Sequence, residues 1–273
     1  FWLPASYHRP PVAVAAIFSG LLTKVGVYAL IRIFTLVFPF KENGLQTLVL
    51  AVAVLTMVTG VLGAAAHSDV RRILSFHIIS QVGYMVLGLG LFTPLALAGA
   101  VFYLLHHIVV KANLFLISGL MRQRGGSFEL THLGGFYRHY GFIALLFFIP
   151  AFSLAGFPPL SGFWAKMILI RASIDAGQFS LAVVAAIVGL ITVYSMTKIW
   201  NEAFWKPRPQ TDSIPADDNV ILSWWRIAPV AALALVTILI GLAPEALFQI
   251  AHTAAQELLD PGAYIYSVVG DIQ

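Results

Sequence analysis

Long apolar runs recur along this 273-residue sequence, and they constrain its fold more than any other feature. Each run holds about 20 residues or more, which is enough for a helix to cross the hydrocarbon layer of a bilayer, roughly 30 Å thick. Only 10% of the residues are charged and 59% are hydrophobic, whereas soluble domains carry about 25% charged residues. These features predict an all-α polytopic membrane protein that lies in a lipid bilayer.

Charge and cysteine content narrow the class of protein further. The formal net charge is +4, but in a membrane chain this mostly records basic residues in loops, so we expect no nucleic-acid partner. The absence of cysteine excludes a disulfide framework and a thiolate metal site. We expect neither a cofactor nor a metal site in this chain.

The hydrophobic runs divide a single transmembrane domain, 1–273, into about seven spans. These spans cover 12–38, 46–66, 72–92, 95–121, 141–174, 178–201 and 220–249. Ser68 and Asp69 are N-cap candidates for the third span, and Gly125 and Gly126 are expected to end the fourth. Residues 205–219 are rich in proline and charge and are expected to form a cytoplasmic loop.

The fifth span contains helix breakers at membrane depth. Its sequence, "GFIALLFFIPAFSLAGFPPLSGFWAKMILIRASI", includes the pair Pro158 and Pro159 between Gly156 and Gly162. A helix cannot run unbroken through this segment. Broken backbone in a membrane is tolerated only where protein or a water-filled cavity satisfies it, and broken helices are typical of transporters. We therefore expect one helix that is broken near the middle of the membrane.

Basic residues outside the spans predict the orientation of the chain. One end of the predicted bundle carries Arg9, Arg71, Arg72, Arg122, Arg124, Arg138, Lys198, Lys206, Arg208 and Arg226. The other end carries only Arg32, Lys41 and Arg171. Because positive charge accumulates on the cytoplasmic side, residue 1 is expected inside the cell and Gln273 outside, with the chain in the inner (plasma) membrane.

Three lysines, Lys24, Lys111 and Lys166, remain inside predicted spans. A charged side chain at the bilayer centre costs at least about 2.5 kcal/mol on insertion scales, and such residues usually mark ion or proton pathways. Lys24 lies about 18 Å from the nearer end of its span, at 1.5 Å per residue. This depth argues against a lysine that merely reaches the membrane surface.

Other polar residues lie at helical spacing from these lysines or form a similar stripe on the third span. The stripes are Lys24, Tyr28 and Arg32; His77, Ser80, Gln81 and Tyr84; Tyr103, His107, Lys111 and Ser118; and His106 with Asn113. Lysine and histidine can exchange protons near neutral pH when buried, which suggests a proton relay. For Ser80, Gln81 and Tyr84, hydrogen bonding between packed helices is an equally open interpretation.

The buried residue types favour protons over sodium. All twelve acidic residues fall in loops or near span ends, whereas a hard metal cation prefers several oxygen ligands, usually including carboxylates. Backbone carbonyls between Pro150 and Gly162 are the one exception, because unwound helices coordinate sodium in other transporters. We therefore expect this chain to carry protons and to contribute no sodium site.

Four stretches of the sequence resemble a known family. They are "FWLPASYHRPPVAVAAIFSGLLTKVGVYALIRIF", "DVRRILSFHIISQVGYM", "HHIVVKANLF" and "GFPPLSGFWAKMILI". In order and in lysine spacing they resemble the D subunits of the multisubunit Mrp (Mnh) sodium/proton antiporters. More distantly, they resemble the antiporter-like membrane subunits of respiratory NADH dehydrogenase and related hydrogenases.

The resemblance implies a 14-span inverted-repeat fold, of which this chain resembles spans 8 to 14. It implies that Lys24, Lys111 and Lys166 are the lysines of spans 8, 11 and 12, and that His107 belongs to the same hydrophilic axis. Because the chain begins with Phe1 and lacks the family's earlier spans, we expect it to be a fragment of a longer protein. Ala5 stands where the family often has an acidic residue.

Two functions fit these features. The first is a proton-translocating subunit of a cation (Na⁺)/proton antiporter complex, a secondary transporter and not an enzyme, with Lys24, His107, Lys111 and Lys166 as the relay. The alternative is a membrane-arm subunit of a redox-driven proton pump, which would be part of a translocase. Residues expected to assist the relay are Tyr28, His77, Tyr103 and His106. Either function requires other subunits as partners, and the break in the fifth span argues against a passive scaffold.

Overall fold

The computed structural model describes residues 2–38, 44–208, 224–260 and 262–269. Within these ranges the regular structure is helical, apart from one isolated bridge between Asp69 and Glu129. The α-helices are α1 (Trp2–Tyr7), α2 (Val12–Ile17), α3 (Thr23–Leu36), α4 (Leu45–Ala66), α5 (Val70–Leu91), α6 (Pro94–Gly125), α7 (Phe136–His139), α8 (Gly141–Ala155), α9 (Ser161–Asp175), α10 (Phe179–Ile199), α11 (Trp224–Leu242), α12 (Pro244–Leu259) and α13 (Gly262–Val269). The predicted all-α membrane fold is confirmed.

Membrane-spanning helices account for six of the seven predicted spans in the part of the chain that the structure describes. They are Val12–Leu36, Leu45–Ala66, Val70–Leu91, Pro94–Gly125, Phe179–Trp205 and Trp224–Leu242. The first of these joins α2 to α3 through a π-helical turn, Phe18–Leu22. Phe179–Trp205 likewise ends in a π-helical turn, Trp200–Trp205. The fifth span is divided into α8 and α9, as its prolines and glycines predict.

The prediction of the last span was wrong at the C-terminal end of that span. The sequence predicts one helix over 220–249, whereas α11 ends at Leu242 and α12 begins at Pro244. Pro244 explains the break, since proline lacks an N–H and disfavours helical backbone at the residue before it. Ala243 accordingly has φ −128° and ψ 65°. Residues 220–223 lie outside the described residues.

Helix α6 is the centre of the bundle. It packs against α2, α5, α8, α9, α11 and α12. Thr93 begins the helix, because its hydroxyl accepts a hydrogen bond from Ala96 N at 3.2 Å, and Pro94 occupies the first turn, where its missing N–H costs nothing. Arg122 and Arg124 lie in the last turn, where positive charge complements the helix dipole.

The loops at one end of the bundle are tied to the helices by backbone contacts. Asp69 caps α5 by accepting a hydrogen bond from Arg72 N at 2.8 Å, as the sequence predicts. Ser68 contributes its backbone instead, accepting from Leu130 N at 2.9 Å. Gly135 N donates to Lys206 O at 2.7 Å. Of the predicted loop 205–219, residues 209–219 lie outside the described residues.

Candidate functional site

Lys24 lies directly after the π-helical turn of the first span. Its side chain is only 2% exposed, and Nζ donates to the carbonyl oxygen of Ser19 within the turn. π-Helical turns interrupt the regular hydrogen-bond ladder and are frequent at functional sites. The local distortion therefore supplies a backbone acceptor for an ammonium group in the membrane interior.

Lys111 and His107 lie one turn apart on α6, and both are fully buried. Lys111 Nζ donates to the carbonyl oxygen of Leu74 on α5 at 3.0 Å. Residues four apart on a helix have Cβ atoms about 5–6 Å apart, so the two side chains are neighbours. The pair therefore lies at the contact between α5 and α6.

Lys166 lies beside the break between α8 and α9. Its Nζ donates to the carbonyl oxygen of Ala155, the last residue of α8, at 2.9 Å. The last carbonyls of a helix lack intrahelical partners, and the C-terminal end carries partial negative charge. The break thus creates a site at membrane depth that stabilises a positive charge on Lys166.

Two serine hydroxyls connect the break to α6. Ser161 Oγ lies 2.8 Å from His106 Nδ1 and 3.0 Å from Ser153 Oγ. Ser153 Oγ also accepts from Gly162 N at 3.2 Å. The end of α8, the start of α9 and the middle of α6 are therefore held together by one hydrogen-bonded group.

Gly162 allows this close approach. A Cβ at this position would lie 1.8 Å from Ser153 O and 3.1 Å from His106 Nε2. The first distance is far below any real carbon–oxygen contact, so no other residue fits without moving the backbone. The position therefore requires glycine.

Two stacked tyrosines lie between Lys166 and the histidines. The rings of Tyr84 and Tyr103 are 5.3 Å apart with a 14° interplanar angle. Tyr84 donates to Ala185 O at 2.5 Å, and Tyr103 donates to Gln81 Oε1. Lys166 Nζ lies 5.5 Å from the centre of the Tyr84 ring, which is within the range of cation–π attraction.

His77 and His107 have no hydrogen-bond partner within the described ranges at either ring nitrogen, and Nε2 of His106 has none there either. Electrostatic interactions link His107 with Lys24, Lys111, His106 and His77. They also link His77 and His106 with Lys166. Each of the three lysines thus lies within electrostatic range of at least two imidazoles.

The structure brings together most of the residues that the sequence singles out. The group of buried side chains, here named the basic cluster, comprises Lys24, His77, Tyr103, His106, His107, Lys111 and Lys166. Tyr28 is not buried with the cluster, because its side chain is 56% exposed, but it lines the same surface cavity as Lys24. Asn113 also lies apart from it, because its side chain faces α11. There the amide nitrogen can donate to Val230 O at 3.3 Å and the amide oxygen can accept from Ala234 N at 3.1 Å.

No pattern in the sequence predicts which groups accept hydrogen bonds from the lysines of the cluster. These are mainly backbone carbonyls at Ser19, Leu74 and Ala155. Ser153 and Ser161 could have been predicted as acceptors, because they flank the proline and glycine residues of the break. The carbonyls of Ser19 and Leu74 have no such signal, because every residue carries a carbonyl. That of Ala155 lies in the broken segment 150–162, whose carbonyls the sequence suggests only as sodium ligands.

Acidic side chains are missing from the buried part of the described ranges. There, the buried ionisable side chains with a charged form near neutral pH are lysine, arginine and histidine. No three His, Cys, Asp or Glu side chains among the described residues come together as a metal site. The cluster therefore suits the transfer of protons better than the binding of a cation.

Comparison with known proteins places this arrangement in a family. Residues 1–192 match the family described as NADH:quinone oxidoreductase/Mrp antiporter, TM. The D subunit of the Na(+)/H(+) antiporter of Alkalihalophilus pseudofirmus is 49% identical over 269 residues, 98% of this chain and 54% of that protein. The chain thus spans about half the length of the curated relatives that it matches.

Solved structures show the same fold. A chain of the Mrp complex from Dietzia sp. DQ12-45-1b superposes with a TM-score of 0.89 at 38% identity, over 98% of this chain and 57% of that one. A chain of respiratory complex I from Thermus thermophilus gives a TM-score of 0.78 at 26% identity, over 94% of this chain and 54% of that one. This chain therefore belongs to the NADH:quinone oxidoreductase/Mrp antiporter transmembrane family.

Proposed function

We propose that this chain is part of a proton-translocating subunit of a multisubunit Na⁺/H⁺ antiporter in the plasma membrane. It acts as a secondary transporter subunit and not as an enzyme, and other subunits complete the path and exchange sodium. The residues that relay protons are Lys24, His107, Lys111 and Lys166. His77, His106 and Tyr103 assist them. Tyr28, which lines a cavity beside Lys24, is a further assisting residue at the exposed end of the row.

The observation that carries this proposal is a row of buried basic groups without a buried carboxylate in the described ranges. Each lysine of the row donates to one backbone carbonyl. An amine held in this way stays in place whether it carries two protons or three, since a neutral amine still donates. The row can therefore gain and lose protons without losing its structure.

The imidazoles of the cluster supply the steps between the lysines. Buried polar atoms nearly always have a protein or water partner, and both ring nitrogens of His77 and of His107 lack a protein partner within the described ranges. We infer that water molecules bridge these nitrogens to the lysines. An imidazole accepts a proton at one nitrogen and releases one from the other.

The geometry at the break disfavours sodium there. The Ala155 carbonyl accepts from Lys166, and the two serine hydroxyls bind each other and His106. A sodium ion would have to displace these donors and lie beside an ammonium group. Sodium binding is therefore assigned to another part of the complex.

The test is transport by the whole complex in proteoliposomes that contain a pH-sensitive dye and no electron donor. We expect a sodium pulse to move protons at once, because the antiporter is driven by the ion gradient alone. An uncoupler that collapses the pH gradient is the control. Proton movement that requires NADH and a quinone would contradict the proposal.

That outcome would favour the alternative, a membrane-arm subunit of a redox-driven pump. Its support is the likeness to a chain of respiratory complex I from Thermus thermophilus. The same basic cluster would serve both functions, because only the source of energy differs. The experiment with and without NADH therefore separates them.

The charges also support a proposed orientation, with residue 1 cytoplasmic and the C-terminus outside. Lys198 Nζ binds the carbonyls of Ala65 and His67 at the end of α4, and Arg71 and Arg122 both lie over the Phe128 ring. Basic residues from distant parts of the chain thus gather at one end of the bundle. By the positive-inside rule this end faces the cytoplasm.

We expect cysteines introduced at Thr131 and at Ala176 to react from opposite sides of the membrane. Both residues are exposed, and α8 and α9 together carry the chain from one end of the bundle to the other. In right-side-out cells, an impermeant maleimide should label Ala176→Cys before lysis and Thr131→Cys only after it. Labelling of both variants in intact cells would refute this orientation.

A further inference from the structure

A groove of about 500 Å³ opens between α1, α4 and α5, at the end of the bundle that carries most of the arginines. Its rim holds four basic side chains, which are His8, Arg9, His67 and Arg72. Its deeper wall is mostly apolar and is formed by Pro4, Ala5, Thr59, Gly60, Phe76 and Ile79. The groove contains no member of the basic cluster and is separate from the proposed proton relay.

We propose that this groove binds an anionic phospholipid, with the phosphate at the basic rim and an acyl chain along the apolar wall. Basic pockets between transmembrane helices on the cytoplasmic side are typical sites for such headgroups. The basic rim next to an apolar wall matches the phosphate and the acyl chain of a phospholipid. From His67 to Thr59 the wall extends eight residues along α4, about 12 Å at 1.5 Å per residue.

The rim carries positive charge on Arg9 and Arg72. None of the described residues that line the groove is acidic. The nearest acidic residue along the chain, Asp69, caps α5 by accepting a hydrogen bond from the backbone N–H of Arg72. This bond uses the backbone of Arg72, and both Arg9 and Arg72 are exposed. The two guanidinium groups are therefore available to a phosphate.

The rim is also held in place before any ligand binds. Arg71 Nη2 donates to Pro10 O at 2.5 Å, which fixes the segment that follows α1 against α5. His67 stacks on Phe76 with ring centres 4.7 Å apart, and its Nδ1 lies 2.7 Å from Gly63 O. His8 Nδ1 similarly lies 2.6 Å from Pro4 O. The two histidines therefore lose little freedom on binding, which favours affinity.

The apolar wall continues onto an exposed apolar surface of α4. Leu55 and Leu62 lie on the same helix as Thr59 and are 63% and 54% exposed. In a membrane-spanning helix such side chains face the acyl chains of the bilayer. A lipid anchored at the rim would therefore extend its chain without leaving the hydrocarbon layer, which a soluble anion would not do.

The test is native mass spectrometry of the whole purified complex with added phosphatidylglycerol or phosphatidylcholine of the same acyl chains. We expect selective retention of phosphatidylglycerol, weakened about 25-fold in the double variant Arg9→Gln/Arg72→Gln, because each arginine contributes about a fivefold effect. Arg138→Gln, also exposed at this end but outside the groove, is the matched control and should retain the lipid normally.

Two further measurements separate a lipid from other occupants. Thr59→Trp fills the apolar wall and keeps the rim charges, so it should also reduce retention of phosphatidylglycerol, while excess inorganic phosphate should not displace the lipid. Equal losses in Arg138→Gln would show general surface attraction and overturn the proposal. Unchanged retention of the lipid in Thr59→Trp, or its displacement by phosphate, would also overturn the proposal. The same holds if the unaltered complex retains no lipid, which is the result expected if a partner subunit covers the groove.

Discussion

Replacing Lys111 by alanine is expected to reduce sodium-driven proton movement about 100-fold or more, the scale on which a positioned proton-transfer group contributes. Lys111 is fully buried between α5 and α6, next to His107. Alanine removes the amine, and no other described lysine takes its place on α6. We also expect Lys111→Arg to fail, because a guanidinium stays protonated and cannot pass its proton on.

The control for this prediction is Ser118→Ala. Ser118 lies on the same stripe of α6 and is buried, but its hydroxyl donates only within the helix, to Phe115 O at 2.6 Å. It should assemble and transport normally. Initial rates of dye quenching in proteoliposomes, normalised to assembled complex, give the measurement. An active Lys111→Arg complex would show that a fixed charge is sufficient at this site and that proton exchange is not needed.

Replacing Gly162 by alanine is expected to abolish both transport and the normal stability of the subunit. The new Cβ would lie 1.8 Å from Ser153 O, so α8 and α9 must separate. Overpacking of a tight core typically costs about 1–3 kcal/mol, and the cost is higher when backbone must move. The separation would also break the contact between Ser153 and Ser161. We expect a clearly lower melting temperature of the detergent-purified complex and little transport.

Gly26→Ala is the matched control, since Gly26 lies inside α3 and a Cβ there has nothing within 4 Å. Alanine favours a helix over glycine by about 0.8–1.0 kcal/mol, so this variant should melt no lower than the unaltered complex. Ser161→Ala separates the two effects of Gly162→Ala, because it removes the hydroxyl without adding bulk. Equal melting temperatures for Gly162→Ala and Gly26→Ala would contradict the tight contact at the break.

The sequence predicted the elements whose signals are local. Apolar runs located the spans, and prolines with glycines located the break between α8 and α9. Lysines inside apolar runs are so costly that three of them were sufficient to indicate a buried site. The pairing of His106 with Ser161 joins residues 55 positions apart in the chain, and no local pattern contains such a contact.

Tyr28 shows why helical spacing alone was insufficient. At 3.6 residues per turn, a step of four residues advances about 40° beyond a full turn. Tyr28 is thus displaced around α3 from the buried Lys24 and is 56% exposed at the cavity that both residues line. On α6 the same displacement from Tyr103 through His107 to Lys111 has no such effect, because other helices surround α6. A stripe therefore predicts burial only on a helix that is covered on several sides.

Helix α12 was missed for a different reason. Its residues carry a polar face with Glu245, Gln249 and His252, and its apolar residues continue those of α11 without a gap in the hydropathy profile. A single proline, Pro244, marks the boundary. Proline within an apolar run also occurs inside helices, as Pro150 and Pro229 do here, so the residue type alone did not determine where the helix ends.

Helix α6 is much longer than the hydrocarbon layer is thick, whereas other spans match that thickness. This difference determines which helices are expected to change their tilt when the thickness of the membrane changes. Its 32 residues extend about 48 Å, and even a 40° tilt, the upper end of the usual range, leaves about 37 Å along the bilayer normal. None of the large apolar side chains of α6, a helix described throughout, is exposed. Neighbouring helices therefore shield most of their surface, and we expect the excess length of α6 to cause little hydrophobic mismatch. Helices α4 and α10, with 22 and 21 residues, have exposed leucines and a length that matches the hydrocarbon layer. We therefore expect a thinner or thicker bilayer to change the tilt of these two helices more than that of α6.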